Sequence, residues 1–215
     1  MVFLSYILQK QSVIMVENRY EKYKKIFREN NGILRVSTAI RLGIPLYVIY
    51  SLHKVGDLVK EGNGLYRLTE MDDLGNPDLV QISLRVPKSV ICLISALYHH
   101  ELTTQIPHKI YIALPRNTKT PKIDYPPLQA FHFSEKSYST GVQSHVIDGV
   151  DVKIYSKEKT IADCFKFREK IGMDIAIESL KDYLKQPKPQ LHLLVEFSKV
   201  NKVENIMRPY LESLV

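Results

Sequence analysis

The residues best suited to chemistry in this sequence are cations and hydroxyls toward its N-terminal end. Arg35, Arg41, Lys54, Lys60 and Arg67 share a short stretch with Ser37, Thr38, Tyr47, Tyr50, Ser51 and Asn63. Guanidinium and ammonium groups neutralise phosphates, while hydroxyls and amides bond phosphate oxygens or base edges, so the set suits double-stranded DNA. About four to six neutralised phosphates per bound domain predict a slope of log K against log salt of roughly −4 to −5.

Other arrangements invite different chemistry. Asp124, Asp151 and Lys153 are spaced as D…DxK, in which two carboxylates hold Mg²⁺ while a lysine orients a water, the layout of a metal-dependent nuclease. The plainer reading is an exposed strand end following the Asp148-Gly149 turn. His99, His100 and Glu101 are metal-type ligands, but neighbours on a helix point to different sides and no HExxH spacing is present. They read more plainly as the polar end of a buried helix. Lys159, Asp163, Lys166 and Arg168 form a mixed-charge helical face, and Cys164 lies beside Ile161 and Phe165 in an apolar stripe rather than in a nucleophile's setting. With no GxGxxG, Walker loop or GxSxG, the expectation is a non-enzyme needing no cofactor and no metal.

Elements must hold the cations in place. From Glu17 to Asn30, Tyr20, Tyr23, Ile26 and Phe27 follow one helical face, ended by "NNG". Ser37 stands where an N-cap belongs, before a short helix stopped at Gly43. Pro45 suits the first position of a third helix, with Val48, Ile49, Leu52 and Val55 inward. "VGDLVKEGNGLYRL" then reads as a hairpin, since Gly and Asn tolerate the positive φ of a tight reversal. Helix, short helix, helix, hairpin is the order of a winged helix-turn-helix, the hairpin leaning on the last helix with its tip free. Between Glu17 and Glu70, ten Lys/Arg face six Asp/Glu, a balance of +4. Between Pro45 and Val55 there is no Arg, Asn or Gln, the types that read guanine or adenine most strongly, so DNA shape and the wing should carry much of any specificity.

An acidic connector, Thr69 to Gln81, separates this part from an α+β remainder. The expected division is residues 15–70, a connector at 71–79, and a second domain at 80–215. "PKSVICLISALYHHEL" reads as a buried helix; "HKIYIALP", "QAFHF" and "SHVIDGVDVKIY" read as strands, the last with a turn at Asp148-Gly149. Two helices follow, separated at Gly172, with Asp174 in an N-cap position, and "KQPKPQ" precedes a helical end.

The 215 residues, 45% hydrophobic and 25% charged with a net charge of +7, suit a globular chain with an anionic partner. Two distant cysteines without CxxC suit a reducing compartment. "MVFLSYILQKQSVIM" lacks a basic leading region and a cleavage site and is too short to span a bilayer. Residues 1–14 are therefore expected to be an upstream extension before Met15, and the protein to be cytoplasmic with no membrane partner.

"GILRVSTAIRLGIPLYVIYSLHKVGDLVKEGNGLYRL" resembles the N-terminal winged helix of the AbiEi family, antitoxins of bacterial type IV toxin–antitoxin pairs. "VPKSVICLISALYHHELTTQIPHKIYIALP", "YSKEKTIADCFKFREKIGMDIAIESL" and "VENIMRPYLESLV" are similar to that family's C-terminal region. The likeness spans nearly all the chain after residue 31, and "KTIADCFKFREKIG" is its most specific segment. It implies a repressor of its own operon, bound to an inverted repeat in the promoter, that also counters an AbiEii-type nucleotidyltransferase toxin in phage defence. Lys159, Asp163, Lys166 and Arg168 would then form the antitoxin surface. Relatives often carry Arg where Leu46 and Tyr47 stand here, which leaves the operator sequence open.

Overall fold

The computed structural model describes residues 20–62 and 64–214, so the expected extension at residues 1–14 and the tip residue Asn63 lie outside the described residues. The described residues are mixed α+β with two sheets, and the chain divides into two compact units, Met1–Pro77 and Asp78–Val215.

In the N-terminal unit, helix α1 (residues 20–29) ends where the Gly32 N–H donates to the Phe27 carbonyl at 2.7 Å. Strand β1 (Ile33–Arg35), which the sequence reading did not contain, runs straight into α2 (Val36–Arg41). Helix α3 (Leu46–Lys54) and the hairpin β2 (Leu58–Gly62) and β3 (Leu65–Leu68) follow. The three strands are antiparallel in the order β1-β3-β2, with Arg35 opposite Leu65 and Leu58 opposite Leu68. Phe27, Ala39, Ile44, Val48, Ile49 and Leu52 are fully buried in one core. Burying each large apolar side chain contributes about 1.5–3 kcal/mol, which is what holds the hairpin against α3.

Several local expectations are corrected here. Ser37 is not an N-cap: Arg35 takes that place without a side-chain bond, and the Val36 N–H donates instead to the Gly64 carbonyl at 2.8 Å. The pairing of β1 with the hairpin thus continues into the helix start. Pro45 caps α3 rather than opening it, with ψ 145°. Val55 lies past the end of α3 and is 63% exposed.

The C-terminal unit opens with α4 (Pro77–Arg85), so the acidic stretch is partly helix rather than wholly connector. "PKSVICLISALYHHEL" is not one helix either: β4 (Val90–Ile91) precedes α5 (Leu93–His99). Then come β5 (Ile110–Pro115), β6 (Leu128–Phe133), α6 (Glu135–Ser139), β7 (Val142–Ile147) and β8 (Val150–Tyr155). Helices α7 (Lys157–Lys166), α8 (Arg168–Ile171), α9 (Met173–Leu184), α10 (Leu191–Asn201) and α11 (Glu204–Leu214) complete the unit.

The five strands run in the order β6-β5-β4-β8-β7, with β5–β6 and β4–β8 parallel and β4–β5 and β7–β8 antiparallel. Side-chain alternation divides the sheet's two faces. Ile91, Ile112, Leu114, Val152 and Ile154 pack with Leu79 and Ile82 of α4; Val90, Ala113, Phe131, Phe133 and Tyr155 pack with α5, α7, α9, α10 and α11. Asp148 and Gly149, at φ 49° and 75°, form the expected β7–β8 turn. Asp174 is not the cap of α9: Gly172 is, at φ 102°, which an L side chain rarely adopts, and a Cβ there would meet the Asp174 carboxylate at 2.3 Å.

Candidate nucleic-acid interface

Helix α3 buries Val48, Ile49 and Leu52 and turns the rest of its surface outward. Leu46, Tyr47 and Tyr50 are exposed, Ser51 is half-buried, and Lys54 is exposed. No acid occurs on this helix. His53, at its last turn, is bonded through Nδ1 to the Leu58 carbonyl at 2.9 Å and packs edge-on against Tyr66. That bond ties α3 to the first strand of the hairpin, on which Lys60 is exposed.

On α2, Ser37 and Arg41 are exposed and Thr38 is half-buried; the Arg41 guanidinium donates to the Thr38 hydroxyl at 3.3 Å. Arg35 is half-buried at the junction of β1 and α2. Exposed Ile40, Leu42, Val55 and Val59 lie on the same unit, a feature that the reading by residue type did not contain. Nothing in their spacing separates them from core residues; only the packed structure does.

Arg67 is corrected. It is buried, with its guanidinium bonded to Glu61 at 2.6 Å and Asp73 at 2.7 Å, and to the Met71 and Leu68 carbonyls. A guanidinium so engaged is a strut between the hairpin and the chain that follows, not a phosphate contact. Other cations of the unit are also matched: Lys24 bridges Glu21 and Asp57, and Arg28 bridges Glu21 and Glu70.

Lys159 and Asp163 are corrected as surface residues. Both are fully buried, with the ammonium donating to Asp163 Oδ1 at 2.5 Å and lying 4.3 Å from the Tyr155 ring centroid. Asn201 Nδ2 donates to the same oxygen at 2.7 Å, Ser137 donates to Asn201, and Lys166 Nζ reaches the Ser137 hydroxyl at 3.4 Å. Burial raises the Asp163 pKa against the opposing pull of Lys159, and it lowers that of half-buried Lys166. Arg168 donates to the Phe165 carbonyl at 3.0 Å and keeps part of its side chain in solvent. Burial pushes the Cys92 and Cys164 thiols far up, which leaves both as unreactive packing groups.

The D…DxK residues are not brought together. Asp151 and Lys153 are exposed on β8, alternating with Val152 and Ile154, whose side chains face α4. Asp124 precedes β6, which two intervening strands separate from β8, and the neighbouring Tyr125 carbonyl is bonded to Arg85 of α4. The Ser144 hydroxyl donates to Asp151 at 3.3 Å, and Lys153 Nζ reaches the Pro87 carbonyl at 3.5 Å. His99 and His100 do meet a third imidazole, His145 of β7, with ring centroids 4.8 to 5.9 Å apart. His100 Nε2 donates to the Tyr155 carbonyl at 2.7 Å, and burial pushes its pKa down to about 4. Among the described residues, no group of three His, Cys, Asp or Glu is placed to hold a metal ion. Nor is any described helix long and apolar enough to cross a membrane.

No protein-family profile and no curated protein matches the chain. Among solved structures, the crystal structure of the RV2827C protein from Mycobacterium tuberculosis is similar over 90% of this chain and 80% of its own, at 12% identity and a TM-score of 0.49. A likeness that distant carries no functional assignment.

Proposed function

We propose that the chain is a DNA-binding transcriptional repressor of its own operon, of the AbiEi kind, in which the N-terminal unit acts as a winged helix-turn-helix. The observation that supports this reading best is the outward face of α3, free of acids and joined through His53 to a hairpin carrying Lys60. Leu46, Tyr47, Tyr50 and Ser51 would face the major groove, with Leu46 suited to a thymine methyl and the hydroxyls to phosphates or base edges. Arg41, Lys54 and Lys60, with Arg35 and the hydroxyls of Ser37 and Thr38, would hold the backbone. Removing Arg67 from the phosphate contacts lowers the expected salt slope to about −3 to −4 per bound domain. One domain covers a half-site, so two copies on an inverted repeat fit the geometry.

The resemblance also supports a second role, relief of an AbiEii-type nucleotidyltransferase toxin by the C-terminal unit. Of the four residues expected to form that surface, Lys159 and Asp163 are inside, which leaves Arg168 and part of Lys166 for such a contact.

The deciding experiment titrates the DNA upstream of the reading frame against a scrambled duplex at several salt concentrations. Tighter binding of the upstream DNA, with the slope above, supports the reading. Equal affinity for both duplexes overturns sequence-specific repression.

A further inference from the structure

The C-terminal unit holds a cavity of about 520 Å³ beside the start of α7, bounded by β7, the 186–190 loop and α10. Its size is that of a small-molecule site rather than a packing defect. We propose that it binds a small phosphomonoester with an apolar body.

Charge and shape argue for that class. Lys157 and Lys188 line the cavity, and Lys157 Nζ is bonded at 2.7 Å to the Gln186 side-chain carbonyl, a neutral partner rather than an acid. Glu158, the one acid among the lining residues, is buried and accepts from the Tyr183 hydroxyl, which itself accepts from the Gln190 N–H at 2.8 Å. This chain of bonds fixes the acid and the loop that forms one wall. His145 contributes a buried Nε2 that has no hydrogen-bond partner among the described residues. Buried ring nitrogens are ordinarily paired, so a turn of this ring toward the cavity would give Nε2 the ligand oxygen it lacks. His100 does not compete for that role, because its Nε2–H is committed to Tyr155. The ten-residue helix α7 starts at Lys157, so its N-terminal dipole adds to the attraction for an anion. Leu193 and Phe197 supply an apolar wall, which favours an organic phosphate over the bare ion.

Calorimetric titration of the full chain with phenyl phosphate, inorganic phosphate and phenol tests the assignment. Phenyl phosphate should bind saturably, inorganic phosphate about tenfold more weakly, and phenol not at all. Lys157→Gln and His145→Gln should each weaken phenyl phosphate by about tenfold. Lys188→Gln, on an exposed loop position that does not threaten folding, should weaken it by at least threefold, whereas Lys136→Gln on the exposed surface of α6 should leave it unchanged. Absence of saturable phenyl phosphate binding overturns the proposal. So does binding that persists at full strength in Lys157→Gln and Lys188→Gln, or binding of phenol as tight as that of its phosphate.

Discussion

Helices α3 and α7 are of similar length and both carry charged and hydroxyl residues at helical spacing, yet they use them in opposite ways. Helix α3 packs one side against a core and leaves Tyr47, Tyr50 and Lys54 in solvent. Helix α7 is surrounded: every residue from Glu158 to Phe165 is buried, under α5, α9, α10 and α11. A cation on the first kind of helix is available to a ligand. On the second kind it must be matched inside the protein, because an isolated buried charge costs far more than a domain's net stability permits.

The largest expected effect follows from that matching. Asp163→Ala leaves the Lys159 ammonium buried with only ring faces beside it, so it should destabilise the protein by about 3–5 kcal/mol. Lys54→Ala, on the exposed side of α3, should stay within about 0.5 kcal/mol of the parent. The double change Lys159→Met with Asp163→Leu should recover most of the loss, since it removes both charges and keeps volume. Urea denaturation measures all three. A loss below about 1 kcal/mol for Asp163→Ala would show that α7 can open to water, erasing the contrast with α3.

The next effect is a pH dependence confined to the C-terminal unit. His100 has its pKa held near 4, against an ordinary 6.5, chiefly by burial. At neutral pH the imidazole is neutral both folded and unfolded, so no stability is at stake. As pH falls below 6.5 the unfolded chain takes up a proton that the folded His100 refuses, so stability falls, by about 2 kcal/mol at pH 5. His99, also lowered by burial and by His145, adds in the same direction. His100→Gln should be less stable at pH 7 for want of an equivalent bond to Tyr155, but its stability should change less between pH 7 and 5. Parallel slopes for parent and variant would remove His100 as the cause.

What the sequence carried is uneven for the same reason. The hairpin, the Asp148-Gly149 turn and the strand β5 were legible because their signals are local: positive-φ residue types and runs of β-branched side chains. Strand β4 was not legible. Val90 and Ile91 continue an apolar run into α5, and their strand state comes from partners 23 and 63 residues away, Ala113 and Ile154. Arg67 and Lys60 have the same charge in the same hairpin, and only the third dimension separates a strut from an exposed group. The burial of Lys159 and Asp163 was hidden likewise. An i, i+4 ion pair looks identical on a solvated helix and on an enclosed one, and the number of helices that cover α7 is not written in α7 itself. The cavity residues come from five separated segments and have no shared spacing to find.

Arg67 supplies the third test, inside a single hairpin. Its carboxylate partners differ in exposure: Glu61 keeps 16% of its side-chain surface in solvent and Asp73 all of it. Arg67→Met should therefore cost less than breaking the enclosed pair of α7, about 1–3 kcal/mol, mostly from stranded bonds to Glu61 and the Met71 carbonyl. At a temperature where the variant is folded, its salt slope for DNA should equal the parent's. A slope flattened by about one unit would mean that the guanidinium leaves its partners to meet a phosphate.

Lys60 should behave in the reverse way, and its effect is the smallest on stability. It is exposed on β2, opposite Tyr66 in the strand register and just before the bulge that leads to the hairpin tip. Lys60→Glu should change stability by no more than about 0.5 kcal/mol. On DNA it should weaken binding to upstream and scrambled duplexes alike and flatten the slope of log K against log salt by about one unit, because a phosphate contact carries no sequence information. Tyr47→Ala should do the opposite, lowering the preference for the upstream duplex while leaving the slope intact, because a phenol over a base edge releases no counterion. Running both variants against both duplexes separates the roles. If Lys60→Glu alters preference without altering slope, or Tyr47→Ala flattens the slope, then the hairpin reads bases and α3 only holds the backbone, reversing the division proposed for the two elements.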